Sequence, residues 1–227
     1  MILSVLIFNY RAYSQDGFSL HGGLVFPTSD YGNDDIEDED SGLQGTGGVV
    51  GIKYVMPLND QGLGLFLSGN GCLTGFKKDA KDDLEDGFKE IAENVDVTFP
   101  KTIVVPISAG LSYKYVPNSN VTLFGMGGVS CSFARPTKYI IELSDGTEKV
   151  TLTTDYEMAN SIGFTIGCGI ISNDKVTFSL NYFSLGEHKL KGEMETEYSD
   201  GTPKEKEDID PQKINITFVT LTIGIKL

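Results

Sequence analysis

Few side chains in this chain are equipped for chemistry, and they are scattered. Histidine occurs twice, at His21 and His188. His188 stands near Ser184 and Glu187, residue types that can supply a nucleophile, a base and an orienting acid. Their spacing matches no hydrolase motif, and geometry rather than nearness in sequence makes a catalytic set. His188 therefore reads as a rim histidine, and no catalytic residue is assigned. The acidic run DYGNDDIEDED beginning at Asp30 offers carboxylates suited to calcium or to bridging cations. It lacks the spaced D-x-D-x-D-G pattern with a following bidentate glutamate. Like charges repel and extend such a run, so it reads as a solvated, mobile loop, with no metal ligand and no cofactor expected.

Two further sets carry reactive groups. Cys72, Cys131 and Cys168 are an odd number, and the strands assigned to them below hold them too far apart to bridge. Three free thiols packing as small hydrophobes are expected. Lys53, Lys114 and Lys226 share one strand parity near the tight turns. A buried ammonium needs water or a partner, so they are expected just inside a barrel mouth, near Asp16, Asp60 or the terminal carboxylate.

The elements that would position these groups are strands. From Val219 the residues Val219, Leu221, Ile223, Ile225 and Leu227 alternate with Thr220, Thr222, Gly224 and Lys226, the period of a strand. The same reading gives eight strands: 17–26, 47–58, 62–74, 102–116, 121–133, 158–171, 175–185 and 213–227. Most exceed the ~5 to 6 residues usual in soluble sheets and suit the ~9 to 11 that cross a bilayer at a tilt. Short connections at 59–61, 117–120 and 172–174 alternate strictly with long ones at 27–46, 75–101, 134–157 and 186–212. Of the 32 acidic residues, all but Asp16, Asp60 and Asp174 fall in the long connections. That pattern predicts an all-β, eight-stranded antiparallel up-and-down transmembrane β-barrel, with tight periplasmic turns on one rim and long extracellular loops on the other.

Composition agrees: 27 Gly, 13 Phe and 10 Tyr, no Trp, and a formal charge of -14 in 227 residues. No apolar run reaches the ~20 residues of a helical span. Met1 to Ser14 reads as the end of a secretory signal, with cleavage before Gln15, leaving 15–227 as one barrel domain.

Face assignment decides which kind of barrel this is. Around Ile166 the even positions Ile162, Phe164, Ile166, Cys168 and Ile170 oppose Gly163, Thr165, Gly167 and Gly169. A soluble lipocalin-like barrel would turn the large set inward and charge the outer face. The opposing face here is Gly, Ser and Thr, nearly uncharged, so the large set is assigned to lipid and the small set to a narrow interior. Phe66, Phe124, Met126 and Phe183 take inward parity and would pack that interior, which excludes a wide porin and leaves a narrow passage open. Tyr54, Tyr113 and Tyr115 at the short-turn ends, and Phe26 and Phe133 at the loop ends, are candidates for interfacial girdles. At the closing strand the apolar phase shifts between Phe218 and Val219, where a bulge or an exit from lipid is expected.

The segments GFSLHGGLVFPTSDYG, GGVVGIKYVMPL, IVVPISAGLSYKYV and the closing LTIGIKL resemble the small outer-membrane β-barrel family of Gram-negative bacteria, over essentially the whole chain after Ser14. The resemblance implies fold and a cell outer membrane location far more than an activity. It departs at the end, where the family's closing strand usually finishes in Phe and this one finishes in Leu227. The peptidoglycan-binding domain that larger relatives carry after the barrel is not expected here. The function it implies is non-enzymatic: envelope structure, or surface interaction through acidic loops. The alternatives are an outer-leaflet lipid-modifying enzyme and a soluble ligand-binding barrel. Expected partners are outer-membrane lipid and lipopolysaccharide, the barrel assembly machinery during insertion and an extracellular partner of unknown kind. No nucleic acid is expected, and a monomer is.

Overall fold

The computed structural model describes residues 17–33, 35, 41–90, 92–146, 148–200 and 202–227. The expected signal segment, Met1 to Ser14, lies outside them. Eight strands close into a ring: β1 (Gly17–Pro27), β2 (Gly47–Pro57), β3 (Leu63–Gly75), β5 (Lys101–Asn118), β6 (Val121–Pro136), β9 (Ala159–Ser172), β10 (Val176–Tyr198) and β11 (Glu205–Lys226). Every neighbouring pair is antiparallel. The closing contact runs from Ser19 opposite Lys226 to Pro27 opposite Phe218. That is the partnership required by a terminal strand whose polar backbone must find bonds inside a membrane.

Local chemistry shapes the tight rim. Asn173 and Asp174 both take positive φ, 49° and 54°, which is the two-residue turn whose twist suits a hairpin. After β2, the Asn59 carboxamide oxygen accepts from the backbone N–H groups of Gln61 and Leu63 at 3.0 and 3.1 Å. Gly62 follows at φ +95°, where an added Cβ would collide with the Lys114 carbonyl oxygen.

The opposite rim is far more structured than its composition suggests. β10 is 23 residues long and β11 is 22. At ~3.3 Å per residue each spans roughly 70 Å, more than twice the ~30 Å hydrocarbon core. Their outer halves pair with each other as far as Thr196 opposite Glu205. Three further strands join: β8 (Glu148–Tyr156) on β10, β7 (Tyr139–Asp145) on β8, and β4 (Asn94–Thr98) on β7. A five-stranded sheet thus rises from one side of the barrel wall. A helix, α1 (Lys78–Lys89), precedes β4, with exposed ion pairs Lys78–Asp82 and Lys89–Asp86 at 2.8 Å.

The connections expected as loops at 75–101, 134–157 and 186–212 are therefore largely ordered structure. The physical reason is that a strand with water on both faces need not alternate apolar with polar. It is held instead by cross-strand pairs, such as Glu195 opposite Lys206.

Candidate functional site

Side-chain direction follows the pleat throughout the ring. Ile162 is 73% exposed, and Leu20, Leu24, Ile52, Leu67, Ile107, Leu111, Ile166, Leu180, Leu221 and Ile223 are also exposed on the outer surface. Such a continuous apolar belt costs heavily in water and nothing in lipid. Tyr54, Tyr113, Tyr115 and Phe26 are exposed at the belt's edges as expected, and Phe18 lies 4.7 Å from Tyr54 between ring centroids. Phe133 is only partly exposed.

Inside, the barrel is filled in three tiers. The middle tier is polar, with inward hydroxyl and amide groups of nearby strands bonded to one another along the inner wall. Ser108 and Ser130 Oγ are 2.6 Å apart, Ser179 Oγ and Thr222 Oγ1 2.7 Å, and His21 Nε2 and Asn70 Oδ1 2.6 Å. Asn181 Nδ2 donates to Thr220 Oγ1 at 3.2 Å. Small inward residues make this possible. A Cβ on Gly51 would collide with both His21 Nε2 and Asn70 Oδ1.

The loop-side tier is apolar. Val25, Val49, Cys72, Val104, Ala134, Phe183, Leu185, Ile216 and Phe218 form one buried cluster, with the Phe183 and Phe218 rings 5.0 Å apart. A 3-10 turn at Ser29–Gly32 drops Tyr31 into the same cluster, 1% exposed. Its hydroxyl lies 2.7 Å from Thr74 Oγ1, which donates to Gln44 Oε1 at 2.8 Å. Burial pushes the Tyr31 phenol well above its ordinary value. The first loop, expected to be wholly solvated, is thus anchored as a stopper. Of its acids, Asp30 and Asp35 are described, while Asp34 and residues 36–40 lie outside the described residues.

This plug accounts for the apolar phase shift at Phe218 and Val219. No register shift occurs there: Ile216, Phe218, Thr220 and Thr222 all point inward without interruption. What changes is the interior, from polar to apolar. The irregularities lie further out, one with its extra residue on β10 between Ser184 and Glu187, the other with its extra residue on β11 between Gln212 and Ile209. At the first of them Gly186 takes φ +77°, and the extra residue swings His188 from the outer parity to the inner.

His188 is consequently 0% exposed. Its Nε2 lies 2.9 Å from Ser132 Oγ and its Nδ1 3.2 Å from the Gly186 carbonyl oxygen. Neither Ser184 nor Glu187 joins it: Glu187 faces outward and pairs with Lys213 at 3.4 Å. The Ser132–His188 contact links residues far apart in sequence, and only the register of β6, β9 and β10 reveals it. Both members of the pair are 0% exposed. The cysteines are free, Cys72 buried and Cys131 and Cys168 exposed on the lipid side. Among the described residues no three His, Cys, Asp or Glu side chains converge on a point that could hold a metal.

The short-turn tier holds Lys53, Lys114 and Lys226 around a cavity of about 40 Å³, and a second cavity of about 20 Å³ lies against His21 and Asn70. Each is large enough for water and too small for a channel. With the plug above them, the described residues leave no wide pore through the barrel.

On the loop side the chemistry is charged. Lys204 Nζ reaches Glu195 at 2.7 Å and Glu197 at 2.9 Å, and Lys206 reaches Glu195 at 3.3 Å. Bonds from Lys204 and Lys206 hold the Glu195 carboxyl below its ordinary value, and Glu195 with Glu197 raises Lys204 to about 12. Lys149 meets Glu142 at 2.6 Å, and Arg135 and Lys138 share Asp155 at 3.2 and 3.4 Å. The arrangement can present a charged, water-facing surface on a stiff sheet.

The closed antiparallel ring, lipid-compatible belt and filled interior define an eight-stranded antiparallel transmembrane β-barrel. No protein-family model and no curated protein matches the chain. Among solved structures it is similar to Ail, the attachment invasion locus protein of Yersinia pestis, at 14% identity over 92% of this chain and 98% of that one, with a TM-score of 0.39. It is also similar to Neisserial surface protein A, at 14% identity over 93% and 97% with a TM-score of 0.43. A major outer membrane protein from Thermus thermophilus gives 13% identity over 93% and 98% and a TM-score of 0.44.

Proposed function

We propose that this chain is a non-enzymatic integral protein of the cell outer membrane whose working part is the five-stranded sheet raised on the loop side. The observation that carries this reading is the contrast between the two ends of the molecule. The barrel is plugged by Tyr31, Phe183 and Phe218, while β10 and β11 continue far beyond the belt as a rigid acidic surface. Between Gly186 and Lys213 that hairpin carries nine acids and five lysines. A stiff, net-negative platform favours a basic partner and speeds its encounter at low salt.

A lipid role fits beside it. Arg135 and Lys138, which share the Asp155 carboxylate, border a groove of about 270 Å³ together with Asp155 and Ile103, at the upper edge of the belt, where lipopolysaccharide phosphates would compete with Asp155 for the two cations. The lipid-modifying alternative loses support because His188 is enclosed. The soluble alternative loses support because the large apolar set faces out.

The test uses the barrel in lipid nanodiscs with poly-lysine as the probe. Binding is expected to weaken with salt, and to fall severalfold when Glu193, Glu197, Glu207 and Asp208 are changed to their amides. Equal binding by wild type and variant would refute the platform. Recovery of the protein in the aqueous fraction, with no shift of its unboiled band on a denaturing gel, would refute the membrane reading itself.

A further inference from the structure

The raised sheet has two open edges, and they differ. One is β4, five residues long, with α1 beside it. The other is the outer half of β11. That strand pairs with β10 as far out as Glu205, whereas β1 accompanies it only to Phe218. Past Phe218, Thr217 bonds to Thr28 and Asn215 to Asp30. From Ile214 to Glu205 no described residue pairs with the second edge of β11. Alternate residues of a strand turn their N–H and C=O groups to opposite sides, so this side presents a row of free donors and acceptors.

Local sequence sets the length and the sign of that row. Pro211 lacks a donor and sits where β11 carries an extra residue, between Ile209 and Gln212, which ends regular pairing there. Glu205 to Asp210 remain, about the length of an ordinary strand, and all but Ile209 are exposed. Glu205, Glu207, Asp208 and Asp210 make no ion pair among the described residues. The cation among them, Lys206, is held by Glu195 at 3.3 Å and Glu193 at 3.9 Å. Charge of this kind keeps an exposed edge from pairing with neutral strands, and a second copy of the same edge would set like charges opposite one another. A strand carrying Lys or Arg meets the reverse. Glu205 and Glu207 share one face, opposite Thr196 and Met194 of β10, at the two-residue spacing of an extended peptide.

We propose that the outer edge of β11 binds an extended basic peptide segment, which adds a further strand to the raised sheet beside Glu205 to Asp210. Backbone bonds to the free edge supply affinity, and alternate Lys or Arg side chains facing Glu205 and Glu207 supply selectivity. The proposal rests on the acidic platform of the proposed function and adds to it the mode of binding. The partner is held in register as a strand, not loosely as a polycation.

The experiment uses the whole chain in nanodiscs of neutral lipid and synthetic peptides about seven residues long. One alternates lysine with threonine, another is the same peptide methylated on every backbone nitrogen, and the last alternates glutamate with threonine. Methylation keeps the charge and removes the donors. The first peptide is expected to bind about tenfold more tightly than its methylated form and to slow amide exchange at 205–210, while the acidic peptide does not bind. Equal binding by the first two overturns the edge and leaves the platform standing. So does tighter binding that slows exchange at 94–98, or nowhere in the sheet. Binding of the acidic peptide as tightly as the basic one overturns the charge complementarity on which the proposal stands. Binding of poly-lysine without binding of the first peptide defeats the edge alone, and binding of neither defeats both readings.

Discussion

Replacing Phe218 by alanine tests the interior plug and the face assignment together. Phe218 is 0% exposed, stacked 5.0 Å from Phe183, and enclosed by protein on every side. Truncation removes the transfer free energy of the ring and leaves a cavity that the surrounding strands cannot collapse to fill, for an expected loss of about 3–5 kcal/mol. Part of that is the aromatic pair itself, about 0.5–1.5 kcal/mol. The comparison is Leu221→Ala, three residues on, whose side chain is 51% exposed on the outer surface. Lipid chains flow into the gap there, so the change carries a transfer contribution of about 1.5–3 kcal/mol and no cavity contribution. The assay is urea unfolding in vesicles followed by the heat-modifiable band. With a slope of about 2 kcal/mol per molar urea, Phe218→Ala should lower the midpoint by roughly 1.5–2.5 M. Leu221→Ala should lower it by clearly less, and Leu221→Arg, which places a charge in the belt, should cost about 2–4 kcal/mol. A Phe218→Ala midpoint within about 0.3 M of wild type, or a Leu221→Arg variant as stable as wild type, would refute this account of which face meets lipid.

Gly51→Ala places a methyl group against His21 and Asn70 and should destabilise by about 1–3 kcal/mol, as overpacking does; an unchanged urea midpoint would mean the pair is not held as described. His188→Ala removes the shorter of the two hydrogen bonds of the Ser132 hydroxyl, leaving it the Ser161 carbonyl oxygen at 3.4 Å, at a cost of about 1 kcal/mol, while the lipid A profile of cells expressing it stays as in wild type; an altered profile would restore the enzyme reading. The Lys204–Glu195 ladder gives the raised hairpin a pH dependence of definite sign. Because the Glu195 carboxyl is held below its ordinary value of 4.5, its contribution is complete above that value and is lost as pH falls through the folded value. Amide exchange at 193–208 should therefore quicken towards pH 3 while the barrel strands stay protected. Equal exchange at pH 7 and pH 3, after correction for intrinsic rates, would remove the ladder from the account.

The amino-acid order alone specified the eight crossing strands, their faces and the alternation of tight and long connections. A bilayer imposes that legibility: each crossing strand has lipid on one side and a narrow lumen on the other, so residue size and polarity must alternate with period two. Leu221 against Thr222, and Ile166 against Gly167, write the wall directly. Where that boundary condition lapses, the signal lapses. Beyond the belt both faces of β10 and β11 meet water, and Glu193 to Tyr198 read as loop although they are strand. At the plug, Phe218 is apolar because the lumen is, so an inward residue looked like a change of backbone phase. Tyr31, inside an acidic run, gave no sign that it enters the core, and Ser132 gave none that it meets His188. Those pairings depend on strand register and on one bulge at Gly186. Register brings together residues whose separation along the chain carries no local physical cost, so only the folded barrel decides them.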